Sequence, residues 1–370
     1  MADPFAIIGA GMSGASLAYR LASGGREVLV VDDSRPGRAT GWNPGGINPL
    51  HGPGFPGVME GFYRDAFRLH EEQREQVRAA SGIDFGWRVV DRLFLARDER
   101  EVDDLRRYLD FYNALDGFSG RWMDGAEIAQ WDSRVDRSWT GGLMTRGNVR
   151  VNAERYRLAL LGSAEALGAT VVAAQLRSIE TEGGRIAAID WGDGRVEVSG
   201  LCMAAGAWAG GDVAGWEPGD VVEVSPLIGD LLLVRSDDEA PKADVSHRLT
   251  AIYQHDEGDF WIGGTTRREG PLGESSDAIE RELLAGAASL MPGWGPPRVI
   301  AGSSAARPST RDGLPAVGRA PSYENGWMIN GLGGKGILLS AWAAHSLVQM
   351  IEARGDLPEF ASVSPGRAGA

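Results

Sequence analysis

The sequence predicts an α/β fold in which a Rossmann-type, dinucleotide-binding domain is assembled from separated segments and interleaved with β-rich ones. Three observations predict it. Near the N-terminus an apolar strand, Ala6-Ile7-Ile8, runs into Gly9-Ala10-Gly11-Met12-Ser13-Gly14, the G-x-G-x-x-G pattern. A second apolar run from Arg26 to Val31 closes on Asp32, about 20 residues on, where an acid meets a ribose hydroxyl pair. Two further strand-to-glycine elements, Leu201 to Trp208 and Gly331 to Leu339, lie far down the chain, and the segments between them differ in character.

The first βαβ unit spans Pro4 to Asp33. Gly9 permits the tight turn, Gly11 lets backbone approach a pyrophosphate, and Gly14 lets helix pack on strand. Ala18 and Gly25 continue the small-residue spacing down the helix. A glycine- and proline-rich loop from Ser34 to Gly57 follows; loops this long inside a compact domain are usually functional or disordered. Glu60 to Ser81 carries an apolar stripe (Phe62, Ala66, Leu69, Val77) and predicts a surface helix. Asp84 to Ala96 reads as a pair of strands, Glu99 to Leu115 and Gly125 to Trp131 as helices, and Gly141 to Val151 as strand and turn. Asn152 is a good N-cap for a helix to Leu167. Thr170–Ala173, Leu176–Thr181, Arg185–Trp191 and Arg195–Val198 alternate as strands, with hairpin signals at Gly183-Gly184 and Asp193-Gly194. The run Leu201 to Ala205 is a short strand ending in Gly206-Ala207-Trp208-Ala209-Gly210. Val221 to Gly264 is β-rich, Ser276 to Met291 helical, Gly302 to Gly318 and Trp327 to Gly331 strands and turns, and Gly336 to Ala353 a long apolar helix.

Composition bounds the function. A chain of 370 residues holds roughly two domains, and its 43% hydrophobic and 24% charged residues are ordinary for a globular protein. The formal charge of −14 argues against a nucleic-acid partner, which needs clustered cations. No run of about 18 apolar residues predicts a membrane span, and no basic segment with an apolar signal region precedes the first strand, so a cytoplasmic location is the expectation. A single cysteine, Cys202, excludes internal disulfides and cysteine metal clusters, and the five histidines lack metal-ligand spacing.

The N-terminal fingerprint alone does not separate NAD from FAD. The run Gly331-Leu332-Gly333-Gly334-Lys335-Gly336-Ile337 opens a helix whose amides and dipole suit a ring edge that gains negative charge on reduction, such as a flavin's pyrimidine end. Arg307 to Gly318 precedes it. With Ala204-Ala205-Gly206-Ala207-Trp208, Pro226 to Asp230 and Ile262 to Thr265 in the same order, the chain resembles the D-amino-acid oxidase superfamily of FAD-dependent oxidoreductases, above all glycine oxidase and sarcosine oxidase relatives.

That resemblance implies a discontinuous FAD-binding domain (1–84, 148–220 and 302–370) and an interleaved, mostly antiparallel β-sheet substrate domain (85–147 and 221–301). It implies that Gly9, Gly11, Gly14 and Asp32 hold the ADP half, that Thr40, Gly45 and Gly46 run along the flavin, and that Leu176 meets the adenine region. Ala205, Gly206 and Trp208 would line the middle of the cofactor, and Gly334, Lys335, Gly336 and Ile337 its pyrimidine end. Arg307 corresponds to the family's carboxylate-gripping arginine, with an ion pair to Asp312 as the structural alternative; Tyr253 falls near an active-site tyrosine, with a core position as its alternative. Two departures stand out: Gly334 replaces a second family arginine, and Asp230 replaces a glutamine. Trp42, Trp261 and His255 are candidates for additional site surface. FAD is expected to be non-covalent, since neither Cys202 nor His51 matches an attachment motif. The implied activity is oxidation of the C–N bond of an amine or amino acid, with oxygen or an electron carrier as acceptor and a homo-oligomeric assembly common among relatives. Three alternatives remain at this level: a tRNA-modifying FAD enzyme, disfavoured by charge; an NAD(P)-dependent dehydrogenase using Arg35 and Arg38 for a 2′-phosphate; and a non-catalytic FAD-binding scaffold.

Overall fold

A computed structural model describes residues 3–209, 213–255 and 258–367; Gly210, at the end of the second glycine element, lies outside the described residues. Among the described residues are two large sheets. The smaller has six strands in the order Ala316–Arg319, Gly326–Asn330, Gly200–Met203, Phe5–Ile8, Val28–Asp32 and Thr170–Ala173. Phe5–Ile8 runs parallel to both neighbours, and only the edge strand Ala316–Arg319 is antiparallel. Its inner strands are buried on both faces, which is why they read as unbroken apolar runs rather than alternating ones. Cys202 sits in this sheet with no exposed surface, and burial pushes its thiol well up.

The larger sheet runs Gly273–Glu274, Arg298–Thr310, Val224–Arg235, Asp259–Gly263, Thr250–Gln254, Asp244–His247, Arg88–Ala96, Gly141–Arg150 and Gly46–Ile47, with Ser119–Asp124 also on Gly141–Arg150. It is antiparallel except where Asp244–His247 meets Arg88–Ala96. Its strands alternate. Leu93, Leu95, Leu232, Val234, Val245, Ile252, Phe260 and Ile262 point to one face and pack on Leu283, Ala287 and Leu290 of the helix Asp277–Leu290. The opposite face carries Arg92, Phe94, Tyr253 and Arg307. The positions 147/148 and 301/302, expected as boundaries, fall inside the continuous strands Gly141–Arg150 and Arg298–Thr310.

Helix starts follow the sequence closely. Asn152 accepts from the Arg155 amide and Ser276 from the Ile279 amide, each capping its helix. Asp84 to Ala96, however, forms one strand from Arg88 rather than a strand pair. Asp84 Oδ1 accepts from the Gly86 amide, and Gly86 has φ of 66°, so this segment turns instead of extending.

Two helices, Met12–Ser23 and Gly336–Ala353, pack against the parallel sheet, and Glu60–Ser81 and Ala153–Ala166 pack on those two as an outer layer. A buried polar chain joins them. Arg20 donates to Gln73 Oε1 at 3.3 Å, Gln73 donates to Tyr156 Oη at 2.9 Å, and Tyr156 lies 2.8 Å from His70 Nδ1. His70 Nε2 sits 2.9 Å from the carbonyls of both Ile337 and Leu338. Two carbonyls require a donor at Nε2, so Nδ1 accepts from Tyr156 and the ring is neutral. Burial lowers the His70 pKa to about 4, against the raising effect of those carbonyls.

The unfolded chain, with an ordinary histidine near 6.5, therefore takes up this proton first. The stabilisation is complete above about pH 6.5 and lost as pH falls toward 4, roughly 3 kcal/mol in all. Urea unfolding of the wild type and His70→Gln across pH 4–7 measures it: the wild type should lose more stability on acidification, and equal slopes would contradict a neutral buried His70.

Candidate active site

Between the two sheets lies a cavity of about 430 Å³. One end is walled by Gly9, Gly11, Met12, Ser13 and Asp32, and by Ala174, Gln175 and Leu176. Thr40, Trp42 and Asn43 follow on one side and Ala205, Gly206 and Trp208 on another. The far end is closed by Gly229, Ala305, Arg307 and Pro308 from the large sheet and by Leu332, Gly333, Gly336 and Ile337.

The glycines do different work. A Cβ on Gly9 would lie 2.6 Å from the Ala204 carbonyl, and one on Gly14 only 1.8 Å from the Gly9 carbonyl. Both positions serve packing of the turn, and Gly14 is not itself in the cavity wall. Gly11 differs: a Cβ there meets only Thr40 Oγ1, at 3.6 Å. Gly206 and Gly333, with φ of 58° and 52°, have nothing within 4 Å and leave bare backbone at the wall.

Two helices open onto this cavity, Met12–Ser23 and Gly336–Ala353. Neither has a side-chain cap nor an acidic residue in its first turn. The helices beginning at Glu99, Gly125, Ala153 and Asp277 are all capped by side chains, from Asp98, Asp124, Asn152 and Ser276. Apart from the Met12 amide, which donates to Thr40 Oγ1 at 3.2 Å, these two ends thus present first-turn amides and positive dipole ends to whatever occupies the cavity. Asp32 completes one end; its carboxylate accepts from the Ala10 and Ser34 amides, and Arg38 lies 3.7 Å away. An elongated ligand with anionic groups near its middle, hydroxyls at one end and a ring that takes up negative charge at the other fits these features.

The large sheet supplies the charged end. Arg307 faces Leu227 across the strand pair, and its guanidinium lies over Gly229, where a Cβ would come within 1.9 Å of Nη2. Arg307 Nη1 donates to the Thr265 carbonyl at 3.3 Å, and among the described residues no carboxylate stands within ion-pair distance. Burial lowers its pKa, opposed by Tyr253 and Asp230, yet a guanidinium stays charged. The alternative pairing with Asp312 is not formed: Asp312 binds Arg367 at 2.9 and 3.0 Å, which pulls its pKa to about 2. Asp230 is wholly buried and structural; although burial opposes it, Arg267, Ser304 and Thr265 hold its carboxyl below the usual range.

Several expected residues lie off the cavity wall. Gly46 pairs with Arg150 at the sheet edge, and the Gly45 amide donates to Asn43 Oδ1, so Asn43 rather than either glycine reaches the wall. Gly334 faces outward, and Lys335 turns back to the Asn48 carbonyl at 3.3 Å. Tyr253 also lies outside the wall, with its hydroxyl 3.3 Å from Arg92 Nη2. Trp42 and Trp261 meet edge to face at 5.7 Å, and the Trp261 indole donates to His255 Nδ1. Gly229 entered the sequence reading only as a member of Pro226 to Asp230, and cross-strand register brings it to the wall; Arg92, which the sequence did not single out, stands outside the wall beside Tyr253.

A family model described as FAD-dependent oxidoreductase matches residues 5–350. The chain belongs to this family. FAD is its cofactor, and the cavity's two uncapped helix ends, Asp32 and bare glycine backbone fit it. This also settles the nicotinamide alternative: Arg38 neighbours Asp32, and Arg35 pairs with Asp33. Glycine oxidase of Bacillus licheniformis is 26% identical over 349 residues, covering 93% of this chain and 92% of the relative. In fold, the chain matches glycine oxidase from Geobacillus kaustophilus (TM-score 0.89, 24% identity, 100% and 99% coverage). It also matches iminodiacetate oxidase from Chelativorans sp. BNC1 (TM-score 0.88, 23% identity, 99% and 100% coverage).

The two glycine roles separate experimentally. Gly14→Ala drives a Cβ into the Gly9 carbonyl and should destabilise the apo-protein by about 2 kcal/mol, read as a lowered Tm. Gly11→Ala adds a Cβ that meets only Thr40 Oγ1, at 3.6 Å, and should leave the apo Tm near wild type while cutting FAD affinity tenfold or more, measured by fluorescence titration of apo-protein with FAD.

Proposed function

We propose that this flavoenzyme oxidises the C–N bond of a small amine or amino acid bearing a carboxylate, with Arg307 as the group that grips the carboxylate. The observation that carries the reading is a guanidinium in the wall of the FAD cavity, held by one backbone carbonyl and without a carboxylate partner among the described residues. A planar fork with free donors matches a carboxylate's two oxygens.

Bound FAD supplies the two-electron acceptor, taking a hydride from the carbon next to nitrogen. The chain's residues do the rest. Gly9, Gly11, Asp32 and Thr40, with Leu176, hold the nucleotide half, and Ala205, Gly206 and Trp208 support the middle. Gly336 and Ile337 offer the amide end of their helix to the ring edge where charge grows on reduction. Arg307 fixes the substrate by its carboxylate, so the C–H bond is presented in one orientation. The wall around it is apolar where Trp42, Ala305, Pro308 and Leu332 meet, which excludes water and favours the neutral amine, so no side-chain base is needed. The nitrogen lone pair forms the C=N bond as the hydride leaves, and water then hydrolyses the released imine to carbonyl compound and amine. Attachment of the cofactor is non-covalent: Cys202 is sealed in the parallel sheet and His51 stacks on Phe94 away from the cavity wall. The acceptor is oxygen or an electron carrier; peroxide yield set against dye reduction separates them.

The test is anaerobic bleaching of the flavin by a panel of amines, amino acids and N-methyl amino acids. A carboxylate-bearing amine should bleach it, and Arg307→Ala should lower kcat/KM for that substrate about 100-fold with flavin content retained. A flavin left oxidised by every member of the panel would point to the non-catalytic alternative.

A further inference from the structure

A second cationic side chain stands on the same sheet face as Arg307, outside the residues that wall the cofactor cavity. Arg92 shares the inner face of the large sheet with Arg307, and Tyr253 stands between them. The Arg92 guanidinium packs 4.3 Å from the Phe94 ring centre and 5.2 Å from that of Tyr253. Its Nε donates to Ser246 Oγ at 3.2 Å and its Nη2 to the Tyr253 hydroxyl at 3.3 Å, which leaves Nη1 without a hydrogen-bond partner among the described residues. Arg307 approaches the same region from the neighbouring strands, its Nη2 close to Gly264 just beyond the strand that pairs with Tyr253.

The charge balance of this face is one-sided. Arg150 is matched by Asp244. Arg92, Arg307 and Lys335 have no carboxylate within ion-pair distance among the described residues, and Arg92 is half-exposed rather than sealed. The crowding of positive charge has visible effects: burial and then Arg92 lower the Lys335 pKa to about 7, while burial, Lys335 and Arg92 together bring His51 to about 3. Oriented, half-desolvated cations left unmatched are a standing attraction for anions.

We propose that Arg92, backed by Lys335, is a second carboxylate-binding position, and that the substrate is an amino dicarboxylate: an amine flanked by two carboxylates, one held by Arg307 and the other by Arg92. This rests on the C–N oxidation proposed above. The planar, fixed Arg92 fork sets specificity, because an amine with one carboxylate leaves it unsatisfied.

Iminodiacetate and sarcosine make a matched pair, differing only by the carboxylate on the second arm. In wild-type holoenzyme the kcat/KM ratio of iminodiacetate to sarcosine should be about tenfold or more, the effect of one charge-assisted hydrogen-bonded pair. Arg92→Met should collapse that ratio at least tenfold, Lys335→Met should reduce it less, and Arg92→Lys should restore part of it. A wild-type ratio at or below one, or a ratio unmoved in Arg92→Met, overturns the proposal while leaving C–N oxidation standing. Binding supplies a second readout that needs no turnover. Calorimetric titration of the holoenzyme with thiodiglycolate, a dianion without an oxidisable nitrogen, should show at least tenfold tighter binding than (methylthio)acetate, and Arg92→Met should remove the difference. Equal binding of the two by the wild type overturns the second subsite even if no amine reduces the flavin.

Discussion

The buried chain from Arg20 through Gln73, Tyr156 and His70 to the carbonyls of Ile337 and Leu338 is the interaction on which the site's geometry depends. It ties together four helices, two of which are those that open onto the cofactor cavity without caps. A helix end with free amides is a poor structural terminus, because nothing of its own fixes where it stops. His70 fixes one of them from behind, by binding carbonyls in the first turn of Gly336–Ala353, and Arg20 reaches from the other. The helices' apolar faces supply the adhesion, but apolar packing is non-directional; the hydrogen-bond chain sets the rotation and depth at which the amides meet the ligand. A single neutral imidazole, donor on one nitrogen and acceptor on the other, gives that chain one consistent direction.

The large sheet imposes the complementary constraint. Its strand pair Val224–Arg235 with Arg298–Thr310 keeps register for most of its length, with one irregularity beyond Leu233. That register places Arg307 beside a glycine at 229, so its side chain folds over bare backbone into the cavity. The same alternation that buries Leu232 and Val234 against the helix Asp277–Leu290 sends Arg307, Tyr253 and Arg92 to the other side. Core and site are two faces of one pleat, and a shift of one residue in register would exchange them.

Much of this was legible in the sequence where the signal was local. The turn at Gly9 to Gly14, the acid at Asp32 and the caps at Asn152 and Ser276 depend on neighbours a few residues away or on one βαβ unit. Arg307 was legible only through resemblance, since nothing in its own neighbours says that Asp312 will pair with Arg367. Arg92 was silent, and Gly229 only one member of the run Pro226 to Asp230, because their significance comes from residues brought alongside by cross-strand pairing. Tyr253 illustrates the limit of carrying a role by position: it stands near Arg307, yet its hydroxyl is engaged by Arg92. Gly334 and Lys335 show another limit, for a glycine run marks backbone freedom without saying which way the one side chain in it will point. Lys335 points back under the loop at Asn48 and Gly52.

The strand Phe5–Ile8 is the first of the chain, yet its partners in the sheet come from Val28–Asp32 and from Gly200–Met203, and the next strand outward is Gly326–Asn330. The larger sheet likewise waits for Arg298–Thr310. Within this sequence the nucleotide fingerprint is therefore separated by nearly two hundred residues from the strand that pairs the second edge of its own. The cavity is complete only with the last quarter of the chain, which brings Arg307 and the second uncapped helix to it. A fragment that carries the fingerprint alone thus carries half a cofactor site and an unpaired strand edge.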